Sequence, residues 1–195
     1  MVKKILVFNV GSSTIKFSIF NEKTKILEGK YENLKTKKDY AGAFNRVYQE
    51  IKNIEAAAER IKKAVQNKER IILYGDSDLD GISSVVILEE AIKSLGGHIE
   101  CAFFPDREND GYGINLRALE MLKEKAPALF VTLDLGIGNV KEVDMANEMG
   151  FEVIIVDHHE TLAGIPNSSL IVDIKQPSDD YPFKGLANVG VTYNL

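Results

Sequence analysis

The sequence of 195 residues has a single cysteine and lacks long apolar runs. Because Cys101 has no partner in the chain, an internal disulfide bond is excluded, and its apolar surroundings predict a core position. No segment approaches the ~18 consecutive apolar residues that a membrane-spanning helix needs. Residues 1–9 also lack the apolar region and cleavage site of a secretory signal peptide. We therefore expect a cytoplasmic protein with no membrane partner.

Positive charge is scarce after residue 70. Residues 1–70 contain 16 Lys and Arg against 8 Asp and Glu, whereas residues 71–195 contain 8 against 21, a net charge of −13. Such an acidic segment cannot hold a polyanion by itself unless metal ions neutralise part of its charge. The basic N-terminal part could assist, although lysine-rich helix faces are commonly only solvated.

The first 67 residues divide into two predicted parts. Residues 2–9 and 15–20 resemble strands joined by a Gly-Ser-Ser turn at 11–13, and residues 26–31 could form a third extended segment. We interpret residues 1–35 as a β-hairpin appendage. Residues 33–40 form a polar linker, and apolar residues spaced by three and four predict a long amphipathic helix over 41–67.

Residues 68–195 alternate between strand and helix patterns. Strands are predicted at 71–74, 98–104, 128–134, 151–157 and 169–173, and helices at 82–95, 115–125 and 139–149. Asn139 followed by Glu142 predicts a capping box at the last helix. The alternation predicts an α/β fold, a parallel five-stranded sheet with helices on both faces.

Acidic residues follow the first of these strands. The apolar run 71–74 leads into Asp76, Asp78 and Asp80, which alternate along a short loop before the helix. Their mutual repulsion is costly unless a cation neutralises it, so the loop indicates a metal site. A capped turn is the alternative, because Asp and Gly are ordinary turn residues.

The other predicted strands also end in polar residues. Asp106 follows the second strand, Asp134 ends the third, the Asp-His-His-Glu run 157–160 ends the fourth, and Asp173 ends the fifth. The carboxyl ends of parallel strands share one edge of a sheet, where ligands bind. Carboxylates with imidazole suit Mn²⁺, Mg²⁺, Zn²⁺ or Fe²⁺. Two such ions sharing a bridging ligand are typical of phosphoester hydrolysis.

The two adjacent histidines are predicted to differ in role. Neighbouring side chains diverge on an extended segment, so both rings are not expected to bind one ion in the same way. We assign His158 to the metal and His159 to a substrate phosphate or a water molecule.

These motifs together resemble the DHH phosphoesterase superfamily, and most closely its RecJ-type single-strand exonucleases, over residues 56–195. The small-oligonucleotide and cyclic-dinucleotide branch of the family carries a histidine before its aspartates. This sequence has Tyr74 and Gly75 there, which favours the exonuclease branch. The resemblance rests on residues 75–81, 105–113, 134–137 and 157–160, and more weakly on 181–186 with Gly190.

The resemblance implies Mn²⁺ or Mg²⁺, with two ions in a complete enzyme, and single-stranded DNA or RNA as substrate. The implied metal ligands are Asp76, Asp78, Asp80, Asp134 and His158, with Asp134 as the bridge by family analogy. Of these, Asp78, Asp80, Asp134 and His158, together with His159, form the implied catalytic set. The implied substrate-binding residues are Arg107, Gly111, Tyr112, Gly113 and His159, and Asp157 is expected to support the metal ligands.

The sequence also departs from the family. Leu135, the Asp173-Ile174 pair and Asn188 replace residues usual there, and the sequence stops at Leu195 before a further metal-binding aspartate and a second domain. The domain is therefore expected to be C-terminally incomplete. Alternatives are a non-catalytic scaffold, or one half of a split nuclease that pairs with its C-terminal half or with a replication or repair protein.

Residues 5–17 carry a second resemblance, to the N-terminal phosphate loop of acetate and butyrate kinases. In that family the positions matching Asn9, Ser12, Thr14 and Lys16 approach phosphates. The similarity covers about 30 residues, and nothing later in the sequence supplies the two lobes of such a kinase. A phosphotransferase is accordingly the weakest of the functional hypotheses.

Overall fold

The computed structural model describes residues 4–10, 15–21, 24–31, 52–161, 164–176, 179, 181 and 184–195. Residues 41–51 of the predicted amphipathic helix and the predicted turn 11–13 lie outside this part of the chain. The helix is present from Lys52 to Asn67 and is called α1. The domain boundaries at 35, 41 and 68 stay predictions.

The N-terminal strands form an antiparallel sheet of their own. It contains β1 (Lys4–Val10), β2 (Ile15–Asn21) and β3 (Thr24–Tyr31) in the order β1-β2-β3. The third extended segment is thus a strand paired along β2, which makes the predicted hairpin a three-stranded unit.

The second sheet confirms the predicted α/β class. Its strands are β4 (Ile71–Gly75), β5 (Cys101–Phe103), β6 (Ala128–Leu133), β7 (Phe151–Asp157) and β8 (Leu170–Asp173). They are parallel and lie in the order β5-β4-β6-β7-β8. Since all five run in one direction, the residues that follow them meet at one edge.

Helices cover both faces of this sheet. The helices α3 (Leu116–Leu122) and α4 (Val140–Glu148) pack on one face, where Tyr74, Phe130 and Ile155 are fully buried. The side chains that alternate with these point the other way. That second face is covered by α1, by α2 (Leu79–Ser94) and by α5 (Asn188–Asn194).

Three elements differ from the predicted ones by about three residues at one end, and α3 is one of them because it ends at Leu122 and not at 125. The helix α2 begins at Leu79 rather than 82, because the Asp78 carboxylate accepts hydrogen bonds from the backbone N–H groups of Asp80 and Gly81. Asp80 therefore lies in the first helical turn. The strand β5 is only Cys101–Phe103, since it lies at the sheet edge and pairs with β4 alone. Cys101 there is half-buried against the core.

The predicted capping box at α4 is wrong. The Asn139 side chain makes no capping hydrogen bond, and its amide instead contacts the backbone of Ile114. The short helix α5 is absent from the elements predicted above, since its glycine and β-branched residues have low helix propensity. Every helix among the described residues is too short or too polar to cross a bilayer.

Candidate metal centre

The loop after β4 is held in one conformation by its own backbone. The Asp78 Oδ1 accepts from Asp80 N at 2.9 Å and from Gly81 N at 3.0 Å. A Cβ atom at Gly81 would lie 2.3 Å from the Asp76 carbonyl oxygen, so only glycine fits. Burial opposes ionisation of Asp78, but the Gly81 N–H and the Arg107 guanidinium together lower its pKa.

Asp80 connects this loop to the last helix. Its Oδ2 accepts from Asn188 N at 2.8 Å, and its Oδ1 accepts from Val189 N at 2.6 Å. These N–H groups belong to the first turn of α5 and have no partner within the helix. A residue predicted as a metal ligand thus also anchors α5, and each of its oxygens keeps a lone pair.

Asp134 follows β6 in a strained and buried position. Its φ angle is +66°, which is uncommon for a residue other than glycine, and the residue is only 2% exposed. Its Oδ1 is buried without a hydrogen bond. Burial, reinforced by the Asp80 and Asp78 carboxylates, raises the pKa of Asp134 to about 8.

His158 turns a bare nitrogen toward Asp134. Its Nδ1 lies 3.0 Å from the Leu186 carbonyl oxygen, which only accepts, so Nδ1 carries the proton of the neutral ring. The Nε2 lone pair then faces Asp134 Oδ1 at 3.2 Å and Asp80 Oδ2 at 3.7 Å. Two acceptor atoms at this distance repel each other unless a proton or a metal cation lies between them, and the raised pKa of Asp134 is the response of this carboxyl group when no metal is bound. The imidazole and carboxylates therefore fit a divalent metal ion.

Asp157 contacts both histidines. Its Oδ1 accepts from His158 N at 2.7 Å and lies 2.7 Å from His159 Nδ1, while its Oδ2 accepts from Ile137 N. Burial opposes ionisation, but these hydrogen bonds lower the pKa of Asp157. The bond to Asp157 in turn raises the pKa of the half-exposed His159 to about 8.

Arg107 lies on the acidic loop. Its Nε donates to Asp76 Oδ1 at 3.0 Å, and its Nη2 donates to Asp76 Oδ2 at 2.5 Å and to Asp78 Oδ2 at 2.8 Å. The guanidinium carbon lies 5.0 Å from the centre of the exposed Tyr112 ring. The predicted substrate-binding residues Arg107 and Tyr112 are therefore brought together beside the predicted metal ligands.

Residues that the sequence reasoning missed hold the Gly111–Gly113 loop. The buried Tyr74 hydroxyl donates to Gly113 O at 3.3 Å, and Asn139 Oδ1 accepts from Ile114 N at 3.1 Å. Gly113 has a φ of +82°, and a Cβ there would lie 2.4 Å from Asn139 Oδ1. In the sequence, Tyr74 marks only the place of an absent histidine. A polar Asn139 at a helix start is typical of a helix cap, and no sequence signal shows that it instead bonds the backbone of Ile114.

Asn188 is a further residue to which sequence reasoning assigns no role. With its amide oriented to satisfy its neighbours, the Nδ2 donates to Val156 O at 3.1 Å and the Oδ1 accepts from Asp134 N at 2.8 Å. The fully buried side chain thus ties α5 to the ends of β6 and β7. In the sequence it is visible only as a departure from the small residue usual in the family.

The structure thus gathers most of the predicted ligands into two overlapping groups. Asp134, His158 and His159 form one, and Asp76, Asp78 and Asp134 form the other, with the ligand atoms of each group within 4.8 Å of one another. Asp134 is common to both, as a bridging ligand would be. Asp80 belongs to neither group, and Asp173 is buried opposite Asp157 in the sheet with its Oδ2 unpartnered.

Known proteins resemble this chain in sequence. A family model described as "DHH family, N-terminal domain" matches residues 70–195. The single-stranded-DNA-specific exonuclease RecJ of Bacillus subtilis is 42% identical over 146 residues, which are 75% of this chain and 18% of that protein. The Escherichia coli protein of the same name is 32% identical over 148 residues, or 76% of this chain and 26% of that protein.

Solved structures share the fold. The crystal structure of an exonuclease RecJ bound to manganese superposes with a TM-score of 0.65 at 30% identity, covering 73% of this chain and 36% of that one. The Mn²⁺ complex of RecJ from Thermus thermophilus gives 0.59 at 28% identity, covering 73% and 20%.

The chain spans about a fifth to a quarter of the length of these curated relatives, 18% and 26% in the two cases. The matched region contains all five parallel strands and the residues that follow them. The resemblance drawn from the four motifs is confirmed: the chain belongs to the DHH family, whose N-terminal domain it carries over residues 70–195.

Proposed function

We propose that residues 70–195 form the metal-binding core of a phosphodiesterase that hydrolyses single-stranded DNA from an end. The observation that carries the proposal is the contact between His158 Nε2 and Asp134 Oδ1 at 3.2 Å, two acceptors that face each other in a buried position. Mn²⁺ is the favoured ion, because the structural relatives bind manganese, and Mg²⁺ is the alternative.

The ligands proposed for two ions come from three strand ends. Asp134 is the proposed bridge, since it belongs to both groups of candidate ligands. When bound, such ions activate a water molecule and stabilise charge on the transferring phosphoryl group. The proposed ligands are Asp78, Asp80, Asp134 and His158, and the predicted set also includes Asp76.

The surrounding residues of the chain hold protons and orient the substrate. The Leu186 carbonyl fixes the His158 tautomer, so that Nε2 is the free nitrogen. His159 has a pKa raised to about 8, so its ring is largely protonated near neutral pH and can donate a hydrogen bond to a phosphate oxygen or to the leaving group. Arg107 and Tyr112 lie where they could contact the phosphate and base of a bound strand.

Charge argues that this core binds DNA weakly and only at its metal ions. Residues 71–195 carry 8 basic against 21 acidic residues, so the surface repels a polyanion away from the metals. The relatives are several times longer than this chain. We propose that full activity requires further protein segments that supply a basic channel, and that the 195-residue chain alone cleaves poorly.

Calorimetry and digestion test the proposal together. The parent chain and Asp134→Ala are titrated with Mn²⁺, with Asp144→Ala on the exposed side of α4 as the matched control. We expect binding by the parent and the control only. End-labelled single-stranded DNA and RNA are then digested by this chain, by a longer form, and by this chain mixed with the C-terminal part of a relative.

The outcomes separate the remaining hypotheses. Asp134-dependent digestion of DNA by the longer form supports the proposal, and equal Mn²⁺ binding by Asp134→Ala contradicts it. Metal binding without digestion in any form favours the scaffold hypothesis. The kinase-like stretch 5–17 stays a prediction, because its turn lies outside the described residues and the family match begins at residue 70.

A further inference from the structure

Asp76 is the predicted metal ligand that is paired most closely with a positive side chain of the protein itself. Both of its oxygens accept from the Arg107 guanidinium, and its Oδ1 also accepts from Ser77 N at 2.7 Å. Its side chain is only 9% exposed. The two parallel bonds have the bidentate geometry that makes arginine–carboxylate pairs strong.

Proximity alone does not distinguish a ligand from a neighbour. Asp76 oxygens lie within 4.8 Å of those of Asp78 and Asp134, so distance permits coordination. However, coordination by Asp76 would have to use the one lone pair left on Oδ2, and it would place a divalent cation beside the guanidinium that already holds both oxygens of this carboxylate. Asp78 is more exposed and shares only one bond with Arg107. Asp134, by contrast, has an oxygen that no donor satisfies.

We infer that Asp76 is a positioning residue for Arg107, and that it holds the guanidinium for a phosphodiester oxygen instead of binding the metal. This inference rests on the proposed function, since it assumes a metal centre at Asp134 and a nucleic-acid substrate. It removes Asp76 from the predicted ligand set and leaves Asp78, Asp80, Asp134 and His158.

The remaining groups of Arg107 suit that role. Its Nε and Nη2 are engaged by the carboxylates, while within the described part of the chain no residue accepts from Nη1. The side chain is 32% exposed, and the exposed Tyr112 ring flanks it. The carboxylates of Asp76 and Asp78 therefore fix the guanidinium plane and use both N–H groups of Nη2, which leaves the two N–H groups of Nη1 for a phosphate oxygen.

Calorimetry with Mn²⁺ on the full chain compares three aspartate variants with the parent. We expect Asp76→Asn to bind within about threefold of the parent, whereas Asp78→Asn, which removes a ligand, loses on the order of 100-fold. The exposed Asp144→Asn is the matched control for a lost carboxylate. A second variant, Asp76→Asn with Arg107→Gln, replaces the buried ion pair by two neutral amides and guards against misfolding of the single variant.

A second readout reports Arg107 itself. The Nε–H resonance of Arg107 is followed in nitrogen-labelled protein before and after Mg²⁺ is added. We expect it to persist with Mg²⁺ in the parent and to shift or exchange rapidly in Asp76→Asn. Binding of a short fluorescein-labelled oligothymidylate with Mg²⁺ should weaken about tenfold in Asp76→Asn and in Arg107→Gln, with no further loss in the double variant. Rescue by Arg107→Lys should be incomplete, since an ammonium cannot form the bidentate pair.

The failures are distinguishable. If the parent binds no Mn²⁺ or no oligothymidylate, the proposed function fails. If the parent binds Mn²⁺ but Asp76→Asn loses affinity as severely as Asp78→Asn, Asp76 is a ligand and the inference is overturned. Loss of the Arg107 Nε–H signal when Mg²⁺ binds the parent would also overturn it, because the guanidinium would then be displaced by the cation.

Discussion

The candidate metal centre has two sides that differ in how their carboxylates are neutralised. The Asp76 side, at the ends of β4 and β5, contains Asp76 and Asp78 with Arg107 between them. The Asp134 side, at the ends of β6 and β7, contains Asp134 and His158, with a buried carboxylate oxygen that accepts no hydrogen bond. One side carries its own cation, and the other has only acceptors.

This difference shows where an added cation has most effect. On the Asp76 side, arginine already neutralises the carboxylates, and together with the Gly81 N–H it lowers the pKa of Asp78. On the Asp134 side, burial and neighbouring carboxylates raise the pKa of Asp134 to about 8. A divalent ion would relieve that repulsion directly. The comparison therefore predicts that metal affinity depends chiefly on Asp134 and His158.

The largest expected effect is that of Asp134→Asn. Metal affinity should fall on the order of 100-fold or more, because an amide is a poor replacement for a bridging carboxylate. Calorimetry with Mn²⁺ measures the loss. The metal-free variant should at the same time be more stable than the parent by about 1–2 kcal/mol, since a neutral amide replaces a carboxyl group whose ionisation is opposed by burial. Lower stability in the metal-free variant would contradict the comparison.

The histidines give the next largest effect. His158→Ala should weaken Mn²⁺ binding about 10–100-fold, because Nε2 is the nitrogen that faces Asp134. His159→Ala should retain most metal affinity while turnover falls in a longer, active form, because its ring is held by Asp157. The exposed His98→Ala is the matched control. Equal loss of metal affinity in both site variants would refute the division of roles.

A smaller effect should appear in the pH dependence of stability without metal. Asp134 has a folded pKa of about 8 against an ordinary 3.8, so between these values only the folded state keeps the proton. Because the folded state then binds one more proton than the unfolded state, the free energy of unfolding falls as the pH rises from about 4 to about 8. Denaturation in EDTA at several pH values, on the parent and Asp134→Asn, measures this. An unchanged difference across the range would show that Asp134 ionises normally.

The smallest expected effect concerns the support of the substrate loop. Tyr74→Phe removes the hydroxyl that donates to Gly113 O and accepts from Asn115 Nδ2. We expect the free energy of unfolding to fall by about 0.5–1.5 kcal/mol, the usual value of such hydrogen bonds. Mn²⁺ affinity should not change, because the ring itself is retained and the hydroxyl does not face the metal ligands. A loss of metal affinity would show that this loop shapes the centre.

Much of the candidate site follows from local sequence pattern. Apolar runs that end in Asp76, Asp134 or Asp157 predict strands whose carboxyl ends carry acids, and parallel topology predicts that these acids meet. The structure brings them together at one edge. The predicted start of α2 lies three residues too late, because a metal-binding loop and an N-cap have the same aspartate and glycine pattern.

Other features depend on contacts between residues far apart in the sequence. The bond from Asn188 N to Asp80 spans 108 positions, and the bond from Arg107 to Asp76 spans 31. The hydrophobic periodicity of a segment gives no information on hydrogen bonds to residues so far away in the sequence. The helix α5 has weak intrinsic propensity and depends on the Asp80 carboxylate for its first N–H groups, so its own residues could not predict it.

The sequence by itself determined the order of strands and helices along the chain, the residue types at each strand end, and hence the family. The order of the elements follows from the hydrophobic period of each segment, and the shared edge of the strand ends follows from the right-handed connections of a parallel sheet. Only the tertiary structure decided which carboxylate is neutralised by Arg107 and which one faces a bare His158 nitrogen. That choice depends on distances of a few ångströms and on burial, which arise only when separate strands pack together.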